Sequence, residues 1–307
     1  MNHNYFKAYW MLTNRCNLDC SYCVLEDSPE QLQQELPLTE KLKLVDHLYH
    51  KLNIRRLTLS GGEVTLIGKR PPIDFIELLG HLRRFKSKSP TENLEVEMYT
   101  NGTLLDAKVA EAMDGVVDEV AVTIDAQSPA MLQALGRSSQ HGRDYYAVAM
   151  RACQLIASHG IVLKLHSVVN RFNFTSLPNE AAAILDDLQA HGALPQKWKL
   201  YQYMSYDDDT RDRLHAVTPI EYQGFQQKFG DALSGRSLLL HFKDTEEMRA
   251  SLFNVLSYGN AQYMSPGDTW SSSKRTQNLG MYASMPELLA MNGIKPEEFS
   301  RFHGLQR

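Results

Sequence analysis

Cysteine is scarce in this chain: there are four among 307 residues, and three of them crowd into one short stretch at Cys16, Cys20 and Cys23. So few thiols, so placed, exclude a disulfide-stapled scaffold. Long apolar runs are missing as well. None reaches the ~20 residues that a membrane-spanning helix needs, and the opening MNHNYFKAYWML has no apolar stretch behind a basic start. The expectation is a cytoplasmic protein with no membrane partner. Positive charge is not in excess either, since 32 Lys and Arg stand against 36 Asp and Glu for a net charge of -4. That excludes bulk attraction to nucleic acid while leaving room for a local basic pocket. The rest, 43% hydrophobic and 22% charged, has the proportions of a globular protein with a large core, held in one barrel-sized unit or in two domains.

Short apolar runs alternate with helix-period segments, the pattern of a parallel sheet with crossover helices. KAYWMLT (7–13), IRRLTLS (54–60), LEVEMYT (94–100), DEVAVTID (118–125), VLKLHSVV (162–169) and KWKLYQYM (197–204) read as strands. Between them LTEKLKLVDHLYHKL, with Thr39 as N-cap, PPIDFIELLGHLRRF, DAKVAEAMDG, DYYAVAMRACQLIASHG and PNEAAAILDDLQAHG read as helices, and Cys153 becomes a small buried hydrophobe. About six strand-helix units precede residue 205. The remainder is less regular, with a helical reading for DTEEMRASLFNVLSYG (244–259) and MPELLAMNG. Six parallel strands form either an open doubly wound sheet or a partial barrel, and both carry their functional loops at the C-terminal strand ends. The unusual sequences lie there: the cysteine loop after the first strand, SGGE after the second, TNG after the third and TID after the fourth.

Three thiols leave a four-cysteine iron-sulfur site one ligand short, so one iron would stay open to a non-protein ligand. Zinc is the alternative, but it would want a fourth ligand, and His3, His47 and His50 lack the usual short spacing. The spacing of Cys16, Cys20 and Cys23, with Tyr22 before the last, resembles the signature of the radical S-adenosylmethionine (AdoMet) superfamily, and SGGE at 60–63 resembles its glycine-rich motif. The resemblance implies a partial (β/α)6 barrel of the TIM type with a C-terminal extension, a 4Fe-4S cluster held by Cys16, Cys20 and Cys23, and AdoMet chelated to the open iron. It implies AdoMet contacts at Tyr22, Gly61, Gly62, Glu63, Asn101, Thr123 and Arg137, where glycine admits close backbone approach and Glu63 accepts from an ammonium group. An electron donor such as flavodoxin or ferredoxin would be a partner.

Within that superfamily IVLKLHSVVNRFNF (161–174), PQKWKLYQYM (195–204), ALGR ending in Arg137 and the closing MPELLAMNGIKPEEFSRFHG resemble the viperin family. That likeness implies a nucleotide dehydratase, which converts CTP or another nucleoside triphosphate to its 3'-deoxy-3',4'-didehydro analogue, a chain-terminating antiviral nucleotide. Magnesium would accompany the triphosphate without a dedicated protein cage. Lys164 and His166 share one face of their strand, and Lys197 and Lys199 one face of the next. With Arg56 they form a basic set suited to a triphosphate. There are departures. His166 stands where better-known members carry asparagine, Lys197 where they carry arginine, and Leu252 where they carry an aromatic near the substrate, so the base is left open. The domains expected are a barrel core over 1–204 and an extension over 205–307 that closes the substrate site. The alternatives are a radical enzyme acting on a peptide or small heterocycle, and an iron-sulfur sensor without turnover. Peptide-modifying members commonly carry extra C-terminal cysteine clusters, and no cysteine follows Cys153.

Overall fold

Alternation along each strand decides where the core sits. In the computed structural model, which describes residues 5–23, 25, 34–138, 144–265 and 267–306, seven strands run parallel and side by side: β1 (Tyr5–Met11), β2 (Ile54–Ser60), β3 (Glu95–Thr100), β4 (Glu119–Thr123), β5 (Val162–Val169), β6 (Lys197–Gln202) and β7 (Leu239–Lys243). One face of each is apolar. Trp10, Leu59, Met98, Val122, Leu165 and Trp198 are fully buried under helices such as Leu38–His50, Tyr145–Ser158 and Leu177–Ala190, which present Val45, Cys153 and Ile184 to them. The other face carries the polar and aromatic residues, and these line the lumen of a partial barrel. The period of 2 thus sorts a hydrophobic outer layer from a chemically equipped interior.

The sheet does not stop at the barrel. β8 (Phe253–Val255) lies parallel to β1 on its free side, and β9 (Asn260–Tyr263) and β10 (Lys274–Asn278) add antiparallel to it. The short β11 (Gly304–Leu305) pairs antiparallel with the start of β1. The strand order is β10-β9-β8-β1-β2-β3-β4-β5-β6-β7, so residues on both sides of position 204 share one sheet. This is the partial parallel barrel with a C-terminal extension that the sequence leads one to expect.

Two local expectations are corrected. Thr39 does not cap the helix Leu38–His50; Pro37 holds that place with no side-chain bond. The helix expected over 244–259 ends at Ala250. Phe253 and Val255 alternate into the core beside β1, and Gly259, at φ +91, closes the turn into β9. β7 escapes sequence reading because LLHFK is a half-exposed edge strand without a clean alternation.

Candidate functional site

The cysteine loop leaves the C-terminal end of β1 and folds over the neighbouring strand ends. Cys16, Cys20 and Cys23 take part in no disulfide among the described residues and line one cavity of about 400 Å³ together with Asn14, Arg15, Leu18, Asp19 and Leu25. Among the described residues no three His, Cys, Asp or Glu side chains converge on a point as a single metal ion requires. Three thiols arrayed around a shared cavity suit a multinuclear cluster, in which each sulfur takes a different iron. Burial pushes the Cys20 thiol up to about 12, so taking up a metal there would release a proton.

The glycine motif is a strap beneath this loop. Gly62 and Glu63 donate their backbone N–H groups to Thr13 O and Arg15 O at 2.8 and 2.9 Å. A Cβ on Gly61, at φ +138, would come within 2.3 Å of Thr13 O, and one on Gly62 within 2.3 Å of Arg15 O. The glycines are therefore required where backbone meets backbone. Glu63, fully buried, faces the protein and not a ligand: its carboxylate accepts from Thr100 Oγ1 at 2.9 Å, Asn101 N at 2.8 Å and Thr65 Oγ1 at 2.9 Å. Those bonds engage both oxygens of the carboxylate that sequence reading expected to accept from an ammonium group. Burial raises the Glu63 pKa, and the same hydrogen bonds oppose the rise.

Arg137 is likewise saturated. Its guanidinium donates to Tyr22 Oη at 2.6 Å and Tyr145 Oη at 2.7 Å and pairs with Asp125 at 2.5 Å, while the Tyr22 hydroxyl donates to Asp125. Tyr145 donates onward to Thr123 O at 2.7 Å. This buried network ties the cysteine loop to the ends of β3 and β4. Sequence reading missed Asp125, although it stands in the TID strand end. Asn170 and Asn173, also buried, organise the turn after β5, where Asn173 Nδ2 donates to Asp125 O at 3.0 Å.

Below the loop lie two lumen cavities. The upper, of about 280 Å³, reaches from Tyr22, Arg137 and Thr123 past Tyr9, Tyr99, His166 and Tyr201 to Lys199, and is walled by Met248, Ser251, Leu252 and Asn254. His166 is nine-tenths buried and edge-on to the rings of Tyr99 and Tyr201, with centroids at 4.4 and 5.1 Å. Burial, reinforced by Lys199, drives its pKa well down, so the imidazole is neutral. The lower cavity, of about 580 Å³, lies among the N-terminal halves of the strands and is lined by Lys7, Arg56, Lys164, Lys197 and Lys199 together with Glu95, Glu97, Asp118 and Glu119. Four of the five residues expected to bind substrate therefore meet in the lower cavity, and Lys199 joins it to His166 above.

Two of those four are already neutralised. Lys164 pairs with Glu97 at 2.7 Å and with Glu119, and Arg56 with Glu95 at 2.5 Å. Burial would raise the Glu97 carboxyl, but Lys199 and Lys164 bring it down to about 2. A carboxylate held below its ordinary 4.5 contributes stability that is fully present above pH 4.5 and is lost as pH falls through about 2. Glu97→Gln leaves a buried lysine with one partner fewer, so we expect a cost of about 3 kcal/mol in urea unfolding at pH 7 and a smaller loss between pH 4.5 and 2. A change within about 0.5 kcal/mol, the range of an ordinary surface substitution, would refute the pairing.

Comparison with known proteins agrees with this architecture. The Radical SAM superfamily profile matches residues 10–175. The GTP 3',8-cyclase of Chlorobaculum tepidum is 29% identical over 161 residues, 52% of this chain but 44% of that enzyme, so the chain spans less than half of that relative. The PqqA peptide cyclase of Granulibacter bethesdensis is 24% identical over a 320-position alignment that covers 90% of this chain and 76% of that protein. A solved structure described as native anSMEcpe with bound AdoMet superposes with a TM-score of 0.67 at 17% identity, over 96% of this chain and 82% of that one. With a profile that spans more than half of its length, the protein belongs to the radical SAM superfamily, whose cofactors are a 4Fe-4S cluster and AdoMet.

Proposed function

We propose that the chain is a radical SAM enzyme that acts on a peptide, entered into the barrel lumen through the upper cavity. Cys16, Cys20 and Cys23 would hold the cluster, and the strand-end residues around Thr123 would hold AdoMet. With an electron delivered to the cluster by a donor such as flavodoxin or ferredoxin, the pair would supply 5'-deoxyadenosyl radical chemistry at the mouth of the lumen. The observation that carries the substrate class is the charge of the lumen. The lower cavity holds five cations and four carboxylates, and Glu97 stays ionised down to about pH 2. A triphosphate, with a charge near minus four, would meet those carboxylates at close range, whereas a peptide with its amides and mixed charges matches a mixed lining. Similarity along nearly the whole chain supports the same choice, since it runs to a peptide cyclase, while the GTP cyclases align with about half of it. Residues 205–307 act as the part that closes the substrate site, through Met248, Ser251, Leu252 and Asn254.

A second reading, the dehydration of a nucleoside triphosphate with magnesium as its counter-ion, rests on a different observation. Lys7, Lys197 and Lys199 line the lower cavity without an ion-pair partner within 4 Å among the described residues, and the viperin-like motif of β6 supplies two of the three. The readings separate in one experiment. The anaerobically reconstituted protein, with AdoMet and dithionite, is offered a pool of synthetic peptides in one arm and CTP, UTP, GTP or ATP in the other. The peptide reading expects 5'-deoxyadenosine release above background, with a mass change on a peptide. Release in the nucleotide arm alone, together with a nucleotide lighter by one water, would replace it with the second reading.

A further inference from the structure

The side chain of Asn101, expected from sequence to meet AdoMet, is engaged elsewhere. It is 7% exposed. Its Oδ1 accepts from Thr103 N at 2.9 Å and from Thr103 Oγ1 at 2.5 Å. A backbone N–H can only donate, so the amide cannot be flipped: oxygen faces Thr103, and the NH₂ group faces the cysteine loop. That NH₂ donates to Asn17 Oδ1 at 3.0 Å and to Cys16 Sγ at 3.7 Å. Asn17 Nδ2 closes the ring by donating to Thr103 Oγ1 at 2.8 Å. The backbone of Asn101 is fixed as well, through its N–H to Glu63. An amide proton is therefore held on a thiol of the cysteine loop by a ring of hydrogen bonds with assigned directions.

We infer that Asn101 is a positioning residue that sets the reduction potential of the cluster through the sulfur of Cys16. The inference rests on Cys16 as an iron ligand and is independent of the substrate. An N–H group pointed at an iron-bound thiolate draws electron density from the sulfur and stabilises the extra negative charge of the reduced cluster, which raises its potential. The cluster must take up an electron before AdoMet is cleaved, so the amide bears on the step that starts the reaction while touching no substrate.

The test is a potentiometric titration of the reconstituted protein, followed by the electron paramagnetic resonance of the reduced cluster. AdoMet is left out, which removes any contribution from a contact with the nucleoside. Asn101→Leu keeps the volume and deletes the donor, and it is expected to shift the midpoint to a more negative potential at full iron content. Thr103→Val keeps the backbone N–H that orients the amide but deletes the hydroxyl that closes the ring to Asn17; it loosens the amide and is expected to shift the midpoint in the same direction by less. An unchanged midpoint in a fully loaded Asn101→Leu protein overturns the inference. Should that variant fail to load iron, an unchanged midpoint in fully loaded Thr103→Val overturns it instead.

Discussion

Cys20→Ala is expected to abolish both the brown absorbance of the reconstituted protein and its formation of 5'-deoxyadenosine, leaving each at the level of iron-free protein. Three thiolates already leave one iron open. With two, a second iron loses its protein ligand, and a cubane so held is released or degraded. Cys20 is the deepest of the three thiols. The fold should survive, because the alanine removes a single sulfur, a loss of about 1 kcal/mol. Cys153→Ala is the matched control. That thiol is fully buried between the helix Tyr145–Ser158 and the sheet, so its loss should cost a similar amount while the cluster remains. Iron content and circular dichroism on both variants check the pair. Retention of a full cluster in Cys20→Ala would remove the assignment of this loop as the cofactor site.

The fold was legible where strands are fully covered. β2 and β5 fall on the residues that alternation predicts, because an apolar face beneath helices forces a strict period of 2. The short strands β8 to β10 were not legible. Three- to five-residue strands in a mixed segment carry too few alternations to compete with a helical pattern, and DTEEMRASLFNVLSYG contains both a helix and a strand.

The site was legible in its loops and only half legible in its lumen. Applied to KWKLYQ and VLKLHSVV, alternation found the cations. The same rule on EVEMYT and on FKAYWM would have found Glu97, Tyr99, Lys7 and Tyr9, which line the same cavities. What alternation does not give is pairing across the lumen: Lys164 meets Glu97 over 67 residues of sequence, a contact fixed only when the sheet curves. Hence a set of residues that reads as basic in sequence is nearly neutral in three dimensions.

The same distinction between a charge and its compensation governs the expected loss of stability in Arg137→Met. Methionine fills most of the space but leaves Asp125, which is fully buried, without its counter-ion. Breaking one side of a buried pair costs about 3–5 kcal/mol, most of it the penalty of the stranded charge. Asp125 would keep the N–H of Val168 at 2.8 Å and the hydroxyl of Tyr22, which brings the expected loss to the lower end of that range. Tyr22 would also lose its two bonds from the guanidinium at 2.9 and 2.6 Å, and with them the tie between the cysteine loop and β4, so iron loading should fall together with stability. The double variant Arg137→Met with Asp125→Asn separates the two causes. Asparagine keeps a carbonyl oxygen to accept from Val168 N–H, turns its NH₂ toward Tyr22, whose hydroxyl then accepts, and carries no charge, so if the stranded carboxylate dominates, the double variant recovers part of the loss, with a coupling of about 1–3 kcal/mol between the sites. Urea unfolding of the two single variants and the double gives that coupling directly. A double variant no more stable than Arg137→Met alone would mean that the guanidinium acts by packing and by its bonds to Tyr22 and Tyr145, and that Asp125 is held by its backbone partner without need of a cation.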